Sequence, residues 1–220
     1  MNAGVKILGK DFGYKSYDIT DCGTYFDYRG EHNYKNLFIP LLGKHQVENS
    51  TLAIAAVAEF EKFDEKKIRI GLKNAFIPGR LEIIQKNPLV VLDGAHNPDK
   101  MHALVSSVKA IWPDKKMTVI LAIKEDKNAE EMIKIILPIC KEIILTSFES
   151  LLDLGKVLSL DPVKLKETVK RLNFQGRIII EEDSNKVIKT MKNYVRKEDI
   201  ILVTGSLYLV GIIRKYLYEK

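Results

Sequence analysis

From residue 81 onward the chain repeats one pattern. A short run dominated by Ile, Leu and Val is followed by an amphipathic stretch long enough to cross back over it. The runs are LEII (81–84), LVVLD (89–93), MTVILAI (117–123), EIILTSF (142–148), RIIIEE (177–182) and DIILVTG (199–205). Strands this apolar, without polar alternation, belong to a sheet covered on both faces. Amphipathic stretches at 99–112, 129–139, 162–173, 184–196 and 207–219 supply the helices that cover it. LEII and LVVLD are separated by only a short turn containing Asn87-Pro88. Parallel neighbours need a long crossover, so these two are expected to pair antiparallel. The expected class is α/β, a doubly wound, mostly parallel sheet with one antiparallel edge strand.

The first third reads differently. Residues 14–19, 24–28 and 34–42 carry strand-forming aromatic and β-branched residues between turn signals. The Ala-rich TLAIAAVAEFEKF (51–63) is apolar around most of its circumference, so it reads as a buried helix, and a shorter helix fits 65–75. Ile77-Pro78-Gly79-Arg80 then breaks the pattern, which marks a joint between residues 1–77 and 78–220.

Composition narrows the class. Two cysteines, Cys22 and Cys140, cannot build a disulfide framework, so a reducing, cytoplasmic setting is expected. No apolar run approaches the roughly 18 residues a membrane span needs, and no signal-peptide pattern opens the chain. The formal charge of +6 could serve a polyanion. Yet only seven of the 35 cations are Arg, and the lysines are interleaved with acids, as in Lys124-Glu125-Asp126-Lys127. A solvated lysine surface is the simpler reading, and no nucleic-acid partner is expected.

In such sheets ligands bind outside the carboxyl ends of the strands. GVKILGKD (4–11) almost matches a phosphate-binding G-x-x-x-x-G-K-[ST] loop. Asp11 stands where a hydroxyl is needed and no helix follows, so it is set aside. LVVLDGAHNP (89–98) is the strongest local signal. A buried strand ends at Asp93, Gly94 turns the chain, and Asn97-Pro98 cap and open a helix. Asp93 can accept hydrogen bonds from a ribose diol, or only cap the turn; His96 can donate to a ligand, or lie at the surface. Arg80 at the joint can stabilise phosphate charge, or be a solvated turn residue. In LLGKHQVENSTLAIAA (41–56), His45, Gln46 and Asn49 crowd the start of a helix. The Asn49 amide offers the donor and acceptor an adenine edge requires, and ordinary capping is the plain alternative. Ser206 in LVTGSLYLVG (202–211) is placed as an N-cap, and the helix N-terminus it opens could receive a substrate carboxylate.

Taken together, DFGY (11–14), PLLGKHQVENSTLAIAA (40–56), IPGRLEI (77–83), LVVLDGAHNP (89–98), LAIKEDKN (121–128) and LVTGSLYLVG (202–211) resemble the folylpolyglutamate synthase/dihydrofolate synthase family, relatives of the Mur peptidoglycan ligases. Residues 148–165 depart from that family's pattern. The resemblance implies that residues 1–77 are a β-rich remnant of the central ATP-binding domain, with helices. It implies that residues 78–220 are the whole Rossmann-like carboxyl-terminal domain. The family's P-loop, Mg²⁺-binding acids and most of its folate pocket lie in an amino-terminal half that is not represented here. The implied reaction is an ATP-dependent joining of L-glutamate to a folate or pteroate carboxylate through an acyl phosphate. Carried over, Asn49 contacts adenine beside His45, Arg80 the terminal phosphate and Asp93 the ribose. His96 and Ser206 then lie near the incoming glutamate. Mg²⁺ is expected to be held by the other half, so no metal ligand is assigned here. By itself the chain is expected to be inactive. A strand of the shortened first domain would lose its neighbour and favour self-association through residues 1–42. The alternatives are a non-catalytic nucleotide-binding or regulatory module, and a polyanion-binding protein.

Overall fold

The apolar runs beyond residue 81 form one six-stranded sheet in the computed structural model, which describes residues 4–60, 64–152, 155–191 and 195–219. The chain divides into two units, Met1–Ile77 and Pro78–Lys220. In the second unit the strands are β4 (Glu82–Lys86), β5 (Leu89–Leu92), β6 (Met117–Leu121), β7 (Cys140–Ser147), β10 (Arg177–Asp183) and β11 (Ile200–Thr204). Their order is β10-β7-β6-β11-β5-β4. All neighbours are parallel except β4 and β5, which pair antiparallel with Ile83 opposite Val91. The antiparallel edge is therefore where the short Asn87-Pro88 turn required it.

Two helical layers cover this sheet. Helices α6 (Ser184–Met191) and α7 (Leu207–Tyr218) bury Val187, Ile188, Leu209, Val210 and Ile213 against Val90, Leu92, Ile120, Ile144, Ile201 and Val203. Helices α3 (Pro98–Ile111), α4 (Ala129–Ile136) and α5 (Pro162–Arg171) make the other layer, burying residues such as Met101, Leu104, Met132, Ile133 and Leu165. Strands β6 and β11, in the middle, are buried at every position. Burial of both faces is what their unbroken apolar character required.

Some expected boundaries are corrected. The helix expected over 129–139 ends at Ile136, and a 3₁₀ turn follows over Leu137–Ile139, where Pro138 lacks the N–H to continue. Helix α6 is described over Ser184–Met191; of the expected 184–196, residues 192–194 lie outside the described residues and 195–196 are irregular. The loop expected after residue 148 contains a hairpin, β8 (Glu149–Leu152) with β9 (Gly155–Leu158).

In the first unit β1 (Gly13–Thr20), β2 (Gly23–Arg29) and β3 (Tyr34–Ile39) form an antiparallel sheet in that order. Helix α1 (Lys44–Phe60) packs on β1 and β2, and α2 (Glu65–Lys73) on β3. The core is small: Phe12, Phe26, Tyr28, Leu37, Ile39, Val47 and Ile54 are its main members. Helix α1 begins seven residues earlier than the 51 expected from the Ala-rich run, because the polar Lys44–Asn49 stretch is already helical. It is also not buried all round. Ile54 and Ala55 face the sheet, while Leu52 and Val57 are exposed. A single three-stranded sheet covers only one face of a helix. The loop at residues 7–10 is a turn closed by the Asp11 carboxylate, which accepts the Ile7 N–H at 2.7 Å.

Candidate functional site

The carboxyl ends of β5 and β11 bring Arg80, Asp93, His96 and Ser206 into neighbouring corners of the second unit. The turn after β5 is held by Asp93. Its Oδ2 accepts the Leu81 N–H at 3.0 Å and its Oδ1 the Ala95 N–H at 2.8 Å. The Gly94 N–H donates to the Gly79 carbonyl at 2.8 Å, so the Gly79–Leu81 segment is tied across to the Gly94–Ala95 turn. Asp93 is only 5% exposed. Burial pushes its carboxyl up to about 6, opposed by the Leu81 and Ala95 amides and by the charges of Arg80 and Lys100. Leu81 takes a positive φ of 45°, a region that is unfavourable for a branched side chain. The hydrogen bond its N–H donates to Asp93 and its own burial hold it there.

Arg80 sits between these anchored residues and is half-buried. Its Nη1 lies 3.3 Å from the point where a Cβ on Gly94 would stand, so the guanidinium lies across that glycine. Among the described residues the Arg80 guanidinium has no hydrogen-bond or ion-pair partner. Arg69, Arg171 and Arg214, by contrast, all engage carboxylates. A half-buried fork with five free donors is built to receive an anion.

His96 follows on the same turn. Its Nδ1 is 2.7 Å from the Gly94 carbonyl, an acceptor, so Nδ1 carries the proton and Nε2 presents a lone pair. The Lys100 ammonium donates to that Nε2 at 3.0 Å. Asn97 caps α3 by accepting the Lys100 N–H at 2.9 Å, with Pro98 in the first turn. Lys100 was not singled out from sequence. The signal was its spacing, one helical turn after His96. A lysine in the first turn opposes the helix dipole, so its cation adds to a positive corner rather than stabilising α3.

Ser206 opens α7 as its N-cap, its hydroxyl accepting the Tyr208 N–H at 3.1 Å, and is 3% exposed. The capping reading is thus realised. Leu207, the next residue, comes within 2.1 Å of where a Cβ on Gly94 would stand. Only glycine fits at position 94 with Leu207 and Arg80 where they are.

His45 and Asn49 come together in the first unit, inside the first two turns of α1 rather than ahead of it. Gln46 links them, donating from Nε2 to His45 Nε2 at 3.1 Å and accepting at Oε1 from Asn49 Nδ2 at 3.4 Å. Asn49 also lines a cavity of about 470 Å³ between α1 and α2, whose walls include Ala53, Ile54, Val57, Ile68, Leu72 and Ile77. A flat, mostly apolar ring with a polar edge suits such a cavity. Among the described residues no group of three His, Cys, Asp or Glu side chains is placed to hold a metal ion. Nor is any described helix long and apolar enough to cross a membrane.

Comparison with known proteins agrees with this architecture. Residues 80–216 match the family described as dihydrofolate synthetase, C-terminal domain. The dihydrofolate synthase/folylpolyglutamate synthase of Bacillus subtilis is 30% identical over 202 residues, covering 89% of this chain and 45% of that protein. The folylpolyglutamate synthase structure from Thermotoga maritima superposes with a TM-score of 0.78 at 31% identity, over 97% of this chain and 48% of that one. The Mycobacterium tuberculosis folylpolyglutamate synthase complexed with ADP shares the fold, with a TM-score of 0.84 at 23% identity, over 96% and 48% respectively. The chain thus spans about half the length of the relatives it matches, and its fold and residues 80–216 make it a member of the dihydrofolate synthase/folylpolyglutamate synthase family, carrying that family's C-terminal domain.

Proposed function

We propose that the chain supplies part of the nucleotide and amino-acid sites of an ATP-dependent ligase that joins L-glutamate to a folate or dihydropteroate carboxylate. The observation that carries this reading is Arg80: a half-buried guanidinium, without a partner among the described residues, whose two neighbouring residues are tied down and which lies across Gly94. In the reaction the substrate carboxylate takes the γ-phosphoryl group of ATP, releasing ADP. The glutamate amine then attacks the acyl phosphate, and inorganic phosphate leaves. Arg80 neutralises charge on the terminal phosphate of the bound nucleotide, γ in ATP and β in ADP, without needing to move a proton. Asn49 reads the adenine edge with its Oδ1 and remaining amide hydrogen, supported by Gln46 and His45 at the rim of the α1–α2 cavity. Asp93 meets the ribose through lone pairs that the Leu81 and Ala95 amides leave open. His96 holds a lone pair at Nε2, able to take a hydrogen bond from the amine of glutamate in place of Lys100. Ser206, at the N-terminus of α7, faces the same substrate.

The resemblance implies that the P-loop and the metal-binding acids lie in the family's amino-terminal half, so the chain alone is proposed to be catalytically silent. Self-association is proposed through residues 1–42. Five of the fourteen exposed large hydrophobics among the described residues fall in residues 4–42: Val5, Ile7, Leu8, Tyr17 and Tyr25. The strand β1 lies at an edge of its sheet. Calorimetric titration with ADP and with adenosine tests the site. Wild type is expected to bind both, Asn49→Ala to weaken both, and Arg80→Ala to weaken ADP about tenfold while sparing adenosine. No ADP binding at millimolar concentration, or undiminished ADP binding by Arg80→Ala, would overturn the reading.

A further inference from the structure

The backbone that presents Arg80 is anchored a second time, from the opposite side, by groups remote in sequence. Glu82 heads β4 with its side chain 6% exposed, and its Oε2 accepts the Gly79 N–H at 2.9 Å. The same carboxylate receives Arg214 of α7, whose Nε lies 2.9 Å from Oε1 and 3.1 Å from Oε2. The Arg214 guanidinium stacks over the Tyr218 ring at 4.5 Å, and the Tyr218 hydroxyl reaches Oε1 at 3.4 Å. Gly79, at φ +66°, packs on the same face of α7, where a Cβ would meet Val210 at 2.8 Å. Val210, Arg214 and Tyr218 are spaced by four, so one stripe of α7 supports the turn.

We propose that Arg214 and Tyr218 act through Glu82 as positioning residues for Arg80. Arg80 is flanked on one side by Gly79, whose amide Glu82 holds, and on the other by Leu81, whose amide Asp93 holds. Only its side chain is left to move. Arg214 has two effects. It neutralises a carboxylate that would otherwise be buried without a counter-charge, and it fixes the direction from which that carboxylate grips Gly79. Arg214 engages Glu82, so its contribution to the nucleotide runs through the angle at which Arg80 leaves the backbone. A misplacement of about 1 Å in such a group is enough to weaken a charged contact severely.

This inference rests on the reading of Arg80 as a phosphate contact, and ADP and adenosine titrations separate the two. Wild type, Arg80→Ala, Arg214→Ala, Arg214→Lys and the Arg80→Ala/Arg214→Ala double variant are compared, with thermal melting of each. Arg214→Ala is expected to weaken ADP about fivefold to tenfold and to leave adenosine within about twofold. The double variant is expected to bind ADP no more weakly than Arg80→Ala alone, the signature of two residues acting as one unit. Arg214→Lys, which keeps the charge and loses the fork, is expected to recover part of the affinity and decides the matter if Arg214→Ala does not fold. An effective Arg80→Ala with additive losses in the double variant would overturn the positioning role alone. Equal losses for ADP and adenosine in the Arg214 variants would do the same, by marking a general structural effect. An ineffective Arg80→Ala would overturn both readings.

Discussion

Replacing Asp93 with Asn gives a stability signature that can be calculated from the turn it holds. The group is buried at 5% exposure, and its carboxyl is raised from 3.8 to about 6 in the folded chain. A raised folded-state value means that the native state binds the proton more tightly than the unfolded chain does. Stability from this group is therefore fully present below pH 3.8 and is lost as pH rises through 6. At 1.36 kcal/mol per decade the whole window amounts to about 3 kcal/mol. Between pH 4.5 and 7.5 it amounts to about 2 kcal/mol, because part of the transition lies outside that range. The Asn variant has no such titration. It does carry a fixed penalty of about 1–3 kcal/mol, since its amide nitrogen must face one of the two backbone N–H donors, Leu81 or Ala95. At pH 7.5 the two forms should thus be close in stability, while at pH 4.5 wild type should be the more stable by about 2 kcal/mol.

Trp112, the only tryptophan, caps α3 in the same unit, so its fluorescence reports urea unfolding there. With a slope of about 2 kcal/mol per molar, the pH-dependent difference corresponds to about 1 M in midpoint. Subtracting the Asp93→Asn curve removes the titration of every other carboxylate. A difference independent of pH would refute the burial argument. A wild type that gains on the variant as pH rises would show instead that the Arg80 and Lys100 charges outweigh desolvation.

Two further outcomes test the corner and the core. Gly94→Ala places a methyl 2.1 Å from Leu207 Cδ2 and 3.3 Å from Arg80 Nη1. Because Leu207 is 46% exposed and can turn aside, the substitution should lower urea stability by about 1 kcal/mol or less, and Leu207→Ala in the same chain should restore most of it. Of the two thiols, Cys140 is buried and burial pushes it up to about 12, while Cys22 is exposed. An aromatic disulfide reagent should therefore titrate one thiol in the native chain and two in urea; two fast thiols in the native chain would contradict the packing at the start of β7.

How much of this was legible in the sequence depends on whether the signal was local. Strands β6 and β11 were readable because burial on both faces forces an unbroken apolar run. The β4–β5 pairing followed from the length of its turn. The hairpin at 149–158 was not readable: its strands are four residues long, and Leu151 is the most exposed of the large hydrophobics among the described residues. The start of α1 was hidden because Lys44–Asn49 is polar, and helix periodicity is read from apolar residues. In the site, sequence named Arg80, Asp93, His96 and Ser206. What it could not name were the partners that decide their behaviour. Asp93 answers to the Leu81 amide twelve residues away, and the Gly79–Arg80 turn answers to Arg214 through a pair separated by 132 positions. Lys100 was within reach of a local rule, being one helical turn from His96.

The central claim is that the chain carries a nucleotide site but not a whole active site. Release of inorganic phosphate from ATP, in the presence of L-glutamate and dihydropteroate or a folate, measures it most directly. The chain alone is expected to show no glutamate-dependent release while binding ADP in parallel titrations. When combined with the amino-terminal half of the Bacillus subtilis relative, phosphate release is expected to appear and to be lost in the Arg80→Ala variant. Glutamate-dependent turnover by the chain alone would contradict the account. So would ADP binding with no turnover in any combination, which would favour a nucleotide-binding module without catalysis.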